Sequence, residues 1–492
     1  MFRNLTVSLA GLAASGTFAI AMLATGPAAA QSQAATGVLK RAAIVMGDPA
    51  SIRYVAQGNG YTFGQAFLPG MPWPRINVHS QTRTINYAAG AMREQITLSR
   101  AEPKGGGGYP LVGQQTNDQY VNSGLAWNVA GGNPAPGPRF VSDRMHQMGI
   151  TPHGIIKAAL KNDATLEFQT MNAKSGGKSV AVVRFTEPGR FAATAWFNDQ
   201  YQLERVESRF PDAVLGETTA VTTYSDYGTH GAMQFPGRIE QSIGGHPTLS
   251  VIVTEFAANV AADFPVPEAV AKATERVTAD KVTDGVWFIG GGSHNSVAIE
   301  MKDHMVLVEA PLGDVRTKPV LDEVKKLSGK PLRFVINSHQ HFDHAGGLRA
   351  AAAEGATIIT QAGNKAYLEK ALANRGKIAP DLLTKSGKKA SIRTVADKMV
   401  HSDGSRSLEI HRIKDSVHND TFLMVYLPKE KILIQADAYT PPAAGGKPAA
   451  APNNANTVNL VQNLQRLKLA VDTVLPLHGR MVKGEEMMAA GK

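Results

Sequence analysis

Between Ala164 and Val260 apolar and polar residues alternate in short runs. Val180–Phe185, Phe191–Phe197, Leu203–Ser208, Thr218–Tyr224 and Leu249–Phe256 are the clearest, separated by Gly, Asn, Asp or Pro. A period of two punctuated by turn residues predicts an antiparallel β-meander. Upstream the pattern fades. Residues 31–140 are rich in Gly and Pro, with Gly105–Gly108 unbroken and Gly131-Gly132-Asn133-Pro134 reading as a turn. That region is expected to be loop-rich, with one strand at Met92–Ser99. Thr151-Pro152 then supplies a cap and first turn for a helix through Ile155, Ile156, Ala159 and Leu160.

Phe264-Pro265-Val266-Pro267 reads as a domain boundary, and beyond it strands and helices alternate. Val286–Ile289, Ser296–Glu300 and Met305–Ala310 are strand-like, and Pro319 and Gly329 bracket a helix over 318–327. Leu332–Ile336 is a short β-favouring run, followed by a helix from Ala345 to Glu354 that Gly355 stops. Leu408–Ile413, Phe422–Leu427, Ile432–Ile434 and Val474–Leu477 continue the strands, and Val458, Val461, Leu464 and Leu467 mark one helical face. Three domains follow: 1–30 as a removable leader, 31–265 as a β-rich accessory domain and 275–492 as an α/β domain.

The α/β half carries the chemistry. His339, His341, Asp343 and His344 form H-x-H-x-D-H directly after the run Leu332–Ile336. Three imidazoles and a carboxylate gathered in a loop at the carboxyl end of a strand suit borderline cations. A polar surface loop is the competing reading, but four polar groups packed together without a counter-charge are costly to desolvate. Later strands also end at candidate ligands: His418 beyond Leu408–Ile413, Asp437 after Ile432–Ile434, and His478 after Val474–Leu477. His411 competes with His418, but it alternates within a strand while His418 lies in the loop past it. His230 and His246 show no metal-ligand spacing.

Composition narrows the compartment and the donors. The 492 residues contain no cysteine, so disulfides, thiolate ligands and Cys nucleophiles are excluded. The formal charge of +10 is spread along the chain rather than gathered in an arm, so a solvated basic surface is favoured over a nucleic-acid partner. Arg3, the apolar run Leu5–Ala24 and Ala28-Ala29-Ala30 have the order of a secretory signal peptide, which places the mature protein in the periplasm or outside the cell with no stable membrane anchor. An uncleaved anchor helix is the alternative.

The order HQHFDH at 339–344, His418, Asp437 and strand–His478 resembles the metallo-β-lactamase superfamily over about residues 280–485. The resemblance implies an αβ/βα sandwich with a metal site at one edge of its two sheets. It implies one ion held by His339, His341 and His418. A second would be held by Asp343, His344 and His478, with Asp437 bridging. The retained Asp437 is similar to the glyoxalase II and lactonase branch, where a carboxylate bridges two metals.

Two Zn2+ ions are the implied cofactors, with iron as the alternative that His and Asp ligands also accept. Two cations sharing a water would lower its pKa from about 15.7 toward about 7, giving hydroxide at neutral pH to attack a small-molecule carbonyl. Asp343 is expected to ligate and to orient this nucleophile, and Tyr439 to donate a hydrogen bond to the oxyanion. Glu309 is a candidate partner for a ligand imidazole. Ser293-His294-Asn295 reads as a Gly-rich flap, Arg480 as a contact for an anionic tail, and the Pro/Ala/Gly-rich stretch Thr440–Asn454 as a lid or a spacer. The leading function is hydrolysis of an ester, thioester, lactone or β-lactam. Two alternatives are an iron-dependent oxidoreductase acting on sulfur compounds, and a protein whose β-rich half binds an envelope component.

Overall fold

The computed structural model describes residues 27–101, 111, 113–171, 180–443 and 455–491. The expected leader lies outside them except for residues 27–30, which open a helix, Pro27–Met46. Among the described residues no helix is long and apolar enough to cross a membrane.

The first half is a single antiparallel sheet of 13 strands. Ser51–Tyr61 and His246–Ala258 pair at its middle, from Ile52 opposite Ala258 to Gly60 opposite Leu249. From this seam one meander runs outward to Asn133–Pro136, and another returns inward from Glu167–Met171. The strand Phe191–Phe197 shows why: alternate residues are buried, as its period of two requires. The buried set Leu39, Met46, Ile155, Phe191, Phe197 and Phe235 joins the sheet to the helices Pro27–Met46 and Pro152–Lys161. Thr151 caps the second of these, its Oγ1 accepting from Gly154 N at 3.2 Å.

The loop-rich expectation for 31–140 is wrong. Among its described residues are most of the helix Pro27–Met46 and six strands. Strands such as Gln114–Asn122, with Val121 as their one buried residue, carry no apolar stripe, because ladder bonds to both neighbours hold them in place. Gly58 is a further case. It lies at φ +149 where the register shifts, so it marks a bulge inside a strand rather than a loop.

The second half packs a seven-stranded sheet on a six-stranded one. In Met305–Val308, Val306 and Val308 face the second sheet, in a core shared with Ile410, Val425 and Leu433. Met305 and Leu307 face Val320 and Leu348 of the helices Asp314–Leu327 and Leu348–Glu354. This is an αβ/βα sandwich preceded by a mainly antiparallel β domain. The parallel pairs Met305–Val308 with Leu332–Ile336, and Ile432–Gln435 with Thr473–Pro476, send their carboxyl ends to one rim. Asn295 N donating to Leu477 O at 2.8 Å and Leu423 N donating to Ser338 O at 2.8 Å lace the two sheets together there.

Candidate metal centre

Glu309 ends the strand Met305–Val308 and is fully buried, with φ +72. That left-handed turn aims its carboxylate beneath the motif loop, where Asn337 Nδ2 donates to it at 3.1 Å and Ser338 Oγ also donates. His344 Nδ1 lies 3.0 Å from Glu309 Oε2, so this nitrogen carries a proton and Nε2 points inward at Asp437. Burial works against the charged ring, yet Asp437 and Asp343 outweigh it and hold His344 well above the ordinary imidazole range, so a cation bound here would replace the Nε2 proton. His339 Nδ1 lies 3.0 Å from Ser338 Oγ, whose own hydrogen goes to Glu309, so its Nε2 is likewise turned inward. The third imidazole is reversed: His341 Nε2 donates to Ala66 O at 3.0 Å, and the buried Nδ1 has no partner.

The inward atoms form two groups, His339, His341, His418 and Asp437, and His294, Asp343, His344 and His478, each with its ligand atoms within 4.8 Å of one another. His339 Nε2 and His418 Nε2 are 3.2 Å apart, and His344 Nε2 and His478 Nε2 3.1 Å. Tetrahedral zinc with Zn–N of about 2.0–2.1 Å separates its donors by about 3.3 Å, so these spacings suit a shared cation. Asp437 lies between the groups. Its Oδ2 is 3.2 Å from His339, 3.0 Å from His344 and 3.0 Å from His418, and its Oδ1 is 2.8 Å from His478.

The electrostatics ask for positive charge. Burial lowers His339 to about 3 and holds His341 well below the ordinary imidazole range, which keeps both neutral and able to donate lone pairs. Burial works against the ionised form of Asp437, yet His344, His478 and His418 outweigh it and hold the carboxyl well below its usual range. Asp343 behaves alike, its burial outweighed by His344 and His294. An unpartnered Nδ1, converging nitrogens and two ionised, half-buried carboxylates fit a pair of divalent cations.

The β-rich half reaches into this centre. The turn after its strand Ser51–Tyr61 brings Gln65 Nε2 to Asp343 Oδ1 at 2.8 Å. Ala66 O accepts from Gln340 Nε2 at 2.9 Å and Asn419 Nδ2 at 3.3 Å as well as from His341. Gly64 O accepts from Phe342 N, and Phe67 O from Asp420 N, both at 3.2 Å. Gly64 sits at φ +81 against the Phe342 ring, where a Cβ would overlap that ring. Phe63, Trp73 and Phe342 then pack edge to face, with centroids 5.1–5.5 Å apart. The sequence offered no signal for Ala66, whose contribution is a backbone carbonyl, and only a weak one for Gln65 in Phe63-Gly64-Gln65.

The seven sequence-derived ligand candidates all stand at this rim, and His294 joins them. Its Nε2 lies 3.1 Å from Asp343 Oδ2, so its place is in the second group rather than on a flap above it. His411 stays on its strand, 2.8 Å from Glu409. Tyr439 corrects an expectation. The side chain is buried in the core below the rim, and its hydroxyl donates to Glu486 Oε1 at 3.4 Å rather than facing the ligand groups. Arg480 is likewise occupied, 2.6 Å from the same Glu486 oxygen. Most of the expected lid, 444–454, lies outside the described residues.

The family model described as the metallo-beta-lactamase superfamily matches residues 289–442, which hold both arms of the centre except His478. Residues 289–442 belong to the metallo-beta-lactamase superfamily. A metallo-beta-lactamase type 2 from Elizabethkingia meningoseptica is 25% identical over 140 residues, 28% of this chain. The match spans half the length of that relative. Among solved structures, a metallo-beta-lactamase from Pontibacter korlensis aligns with TM-score 0.34 and 20% identity over 44% of this chain and 98% of its own. One from Hirschia baltica aligns with TM-score 0.33 and 21% identity over 44% and 95%. The metallo-beta-lactamase segment thus lies behind a 13-stranded sheet that itself contributes to the metal centre.

Proposed function

We propose that the protein is an exported hydrolase that holds two zinc ions and cleaves an ester, thioester, lactone or β-lactam bond. The observation that carries this reading is the Asp437 carboxylate, which reaches imidazoles of both groups. His339, His341 and His418 would hold one ion, and Asp343, His344 and His478 the other, with Asp437 shared. Bound there, the ions would supply Lewis acidity and a water acidified toward neutral pH. Asp343 is fixed at Oδ1 by Gln65 and at Oδ2 by His294, so its carboxylate keeps one orientation toward an attacking water. Ser338 and Ala66 hold the neutral rings of His339 and His341 in the ligating tautomer before any ion arrives, and Glu309 fixes the orientation of His344. Preorganisation of this kind spares the site the cost of reorganising at each turnover.

The test is a panel of chromogenic esters, thioesters, lactones and β-lactams, run on the full chain reconstituted with zinc and, separately, with iron. Zinc-dependent turnover of one bond class supports the proposal. Activity confined to the iron form, with oxidation of a sulfur compound, would replace it with the oxidoreductase reading.

A further inference from the structure

Beside the second ligand group the two halves of the chain enclose a cavity of about 710 Å³, within the range of small-molecule sites. One wall comes from the β-rich half, through Leu125, Pro136 and Val141; the other comes from the metal-binding half, through Gly292, Leu312 and Val315. The cavity begins a short step from the candidate metal centre. Ser293 lines it, Ser293 Oγ lies 2.9 Å from His294 Nδ1, and the far nitrogen of that ring is on Asp343. Leu312, also on the lining, donates its N–H to Asp343 O at 2.8 Å.

The lining carries five carboxylates and four arginines, and they differ in how they are engaged. Every lining carboxylate already has a donor. Asp212 accepts from Val214 N and Leu215 N, Glu217 from Arg209 and Lys377 N, and Glu275 from Arg316. Asp314 accepts from Leu382 N, and Asp381 from Thr384 N and Arg349. The buried arginines Arg316 and Arg349 are spent on those acids and on carbonyl oxygens. Arg139 and Arg276 differ. Both line the cavity and are exposed to it, and neither has a carboxylate partner among the described residues. The Arg139 guanidinium instead lies over the Phe140 ring, 4.4 Å from its centroid. That stacking fixes its plane and leaves its N–H donors free.

We infer that this cavity between the halves is a binding site for an amphipathic organic anion, its apolar body on the Leu125, Val141 and Leu312 walls and its anionic group on Arg139 and Arg276. The inference deepens the hydrolase reading by naming its substrate class, and its kinetic part rests on that reading; its binding part does not. A ligand anchored there would extend past Ser293 toward Asp343.

The binding test needs no turnover. Titration of the full chain as purified with 8-anilinonaphthalene-1-sulfonate, an apolar body bearing one sulfonate, gives saturable binding. Arg139→Gln with Arg276→Gln weakens it about tenfold, and Ala213→Trp, which fills the mouth from an exposed position, weakens it at least as much. Unchanged affinity in either variant, or no saturable binding by the wild type, overturns the site. If the zinc form hydrolyses esters, the double charge variant also raises KM for a carboxylated ester relative to its neutral analogue. An unchanged ratio alongside lost sulfonate binding would mean that the cavity binds anions that are not the substrate.

Discussion

In the large sheet, His146 and His153 are as buried as the imidazoles of the metal-binding half, at 2% and 1% exposure. His146 Nε2 is 2.8 Å from Ser208 Oγ, with its ring stacked on Phe210. His153 Nε2 is 3.1 Å from Met46 O, with its ring near Phe235 and Phe256. Each leaves Nδ1 without a partner, as His341 does. The difference lies in what the orphan nitrogen faces. Around His146 and His153 are aromatic rings. His341 Nδ1 instead belongs to a set of four donors within 4.8 Å of one another. Burial and an unpartnered nitrogen therefore do not make a ligand; convergence with other donors and a carboxylate does.

His341→Ala should break that contrast hardest. It loses the ion of the first group and lowers hydrolysis at least about 100-fold, beyond what removal of an outer partner costs. His153→Leu should keep both metal and activity. Metal analysis and initial rates on the two variants check this, and equal losses would erase the distinction.

The core imidazoles should show themselves through acid instead. Burial lowers His146 to about 3 and His153 to about 4, whereas an unfolded imidazole titrates near about 6.5. Between those values the unfolded chain binds more protons than the folded one, so stability rises with pH. The stabilisation from neutral burial is complete above about 6.5 and is lost as pH falls toward 4 and then 3, on the order of 3 kcal/mol for His153 and about 5 kcal/mol for His146. Urea unfolding of the sheet at pH 7, 5.5 and 4.5 reads this slope, and His153→Leu should flatten it. A slope unchanged in that variant would place the titration elsewhere.

The contact between the halves gives smaller effects. Gly64→Ala puts a methyl group into the Phe342 ring at a left-handed position, so the turn must lift Ala66 O away from His341. Metal affinity should fall about 10–100-fold in a chelator competition. An unchanged affinity would show that the carbonyl does not govern the tautomer. Gln65→Ala removes one of the two holds on Asp343, and His294 keeps the other. The expected drop in kcat/KM is about tenfold or less, carried mainly by kcat; a drop confined to KM would move Gln65 from orienting Asp343 to binding substrate.

Legibility followed the range of each signal. The motif at 339–344 is local, and its four side chains declared themselves. His418, Asp437 and His478 could be placed because each follows an apolar strand, and parallel pairing carries such ends to one rim. His294 reaches the second group only because Asn295 ties its hairpin to Pro476 O and Gly479 O, a long-range contact with no sequence period. Tyr439 shares the rim's sequence neighbourhood, but its side chain turns the other way, and spacing alone does not reveal direction. Apart from Met92–Ser99, the strands before Pro136 escaped notice because polar residues on both faces hide a ladder that backbone bonds sustain.

Asp437 is the residue on which a two-ion centre depends, and counting zinc bound per chain in wild type and Asp437→Ala tests it most directly. The wild type should take up two ions and Asp437→Ala fewer than one, because both groups share that carboxylate. Two ions bound by Asp437→Ala with wild-type affinity, or none bound by the wild type, would contradict the account.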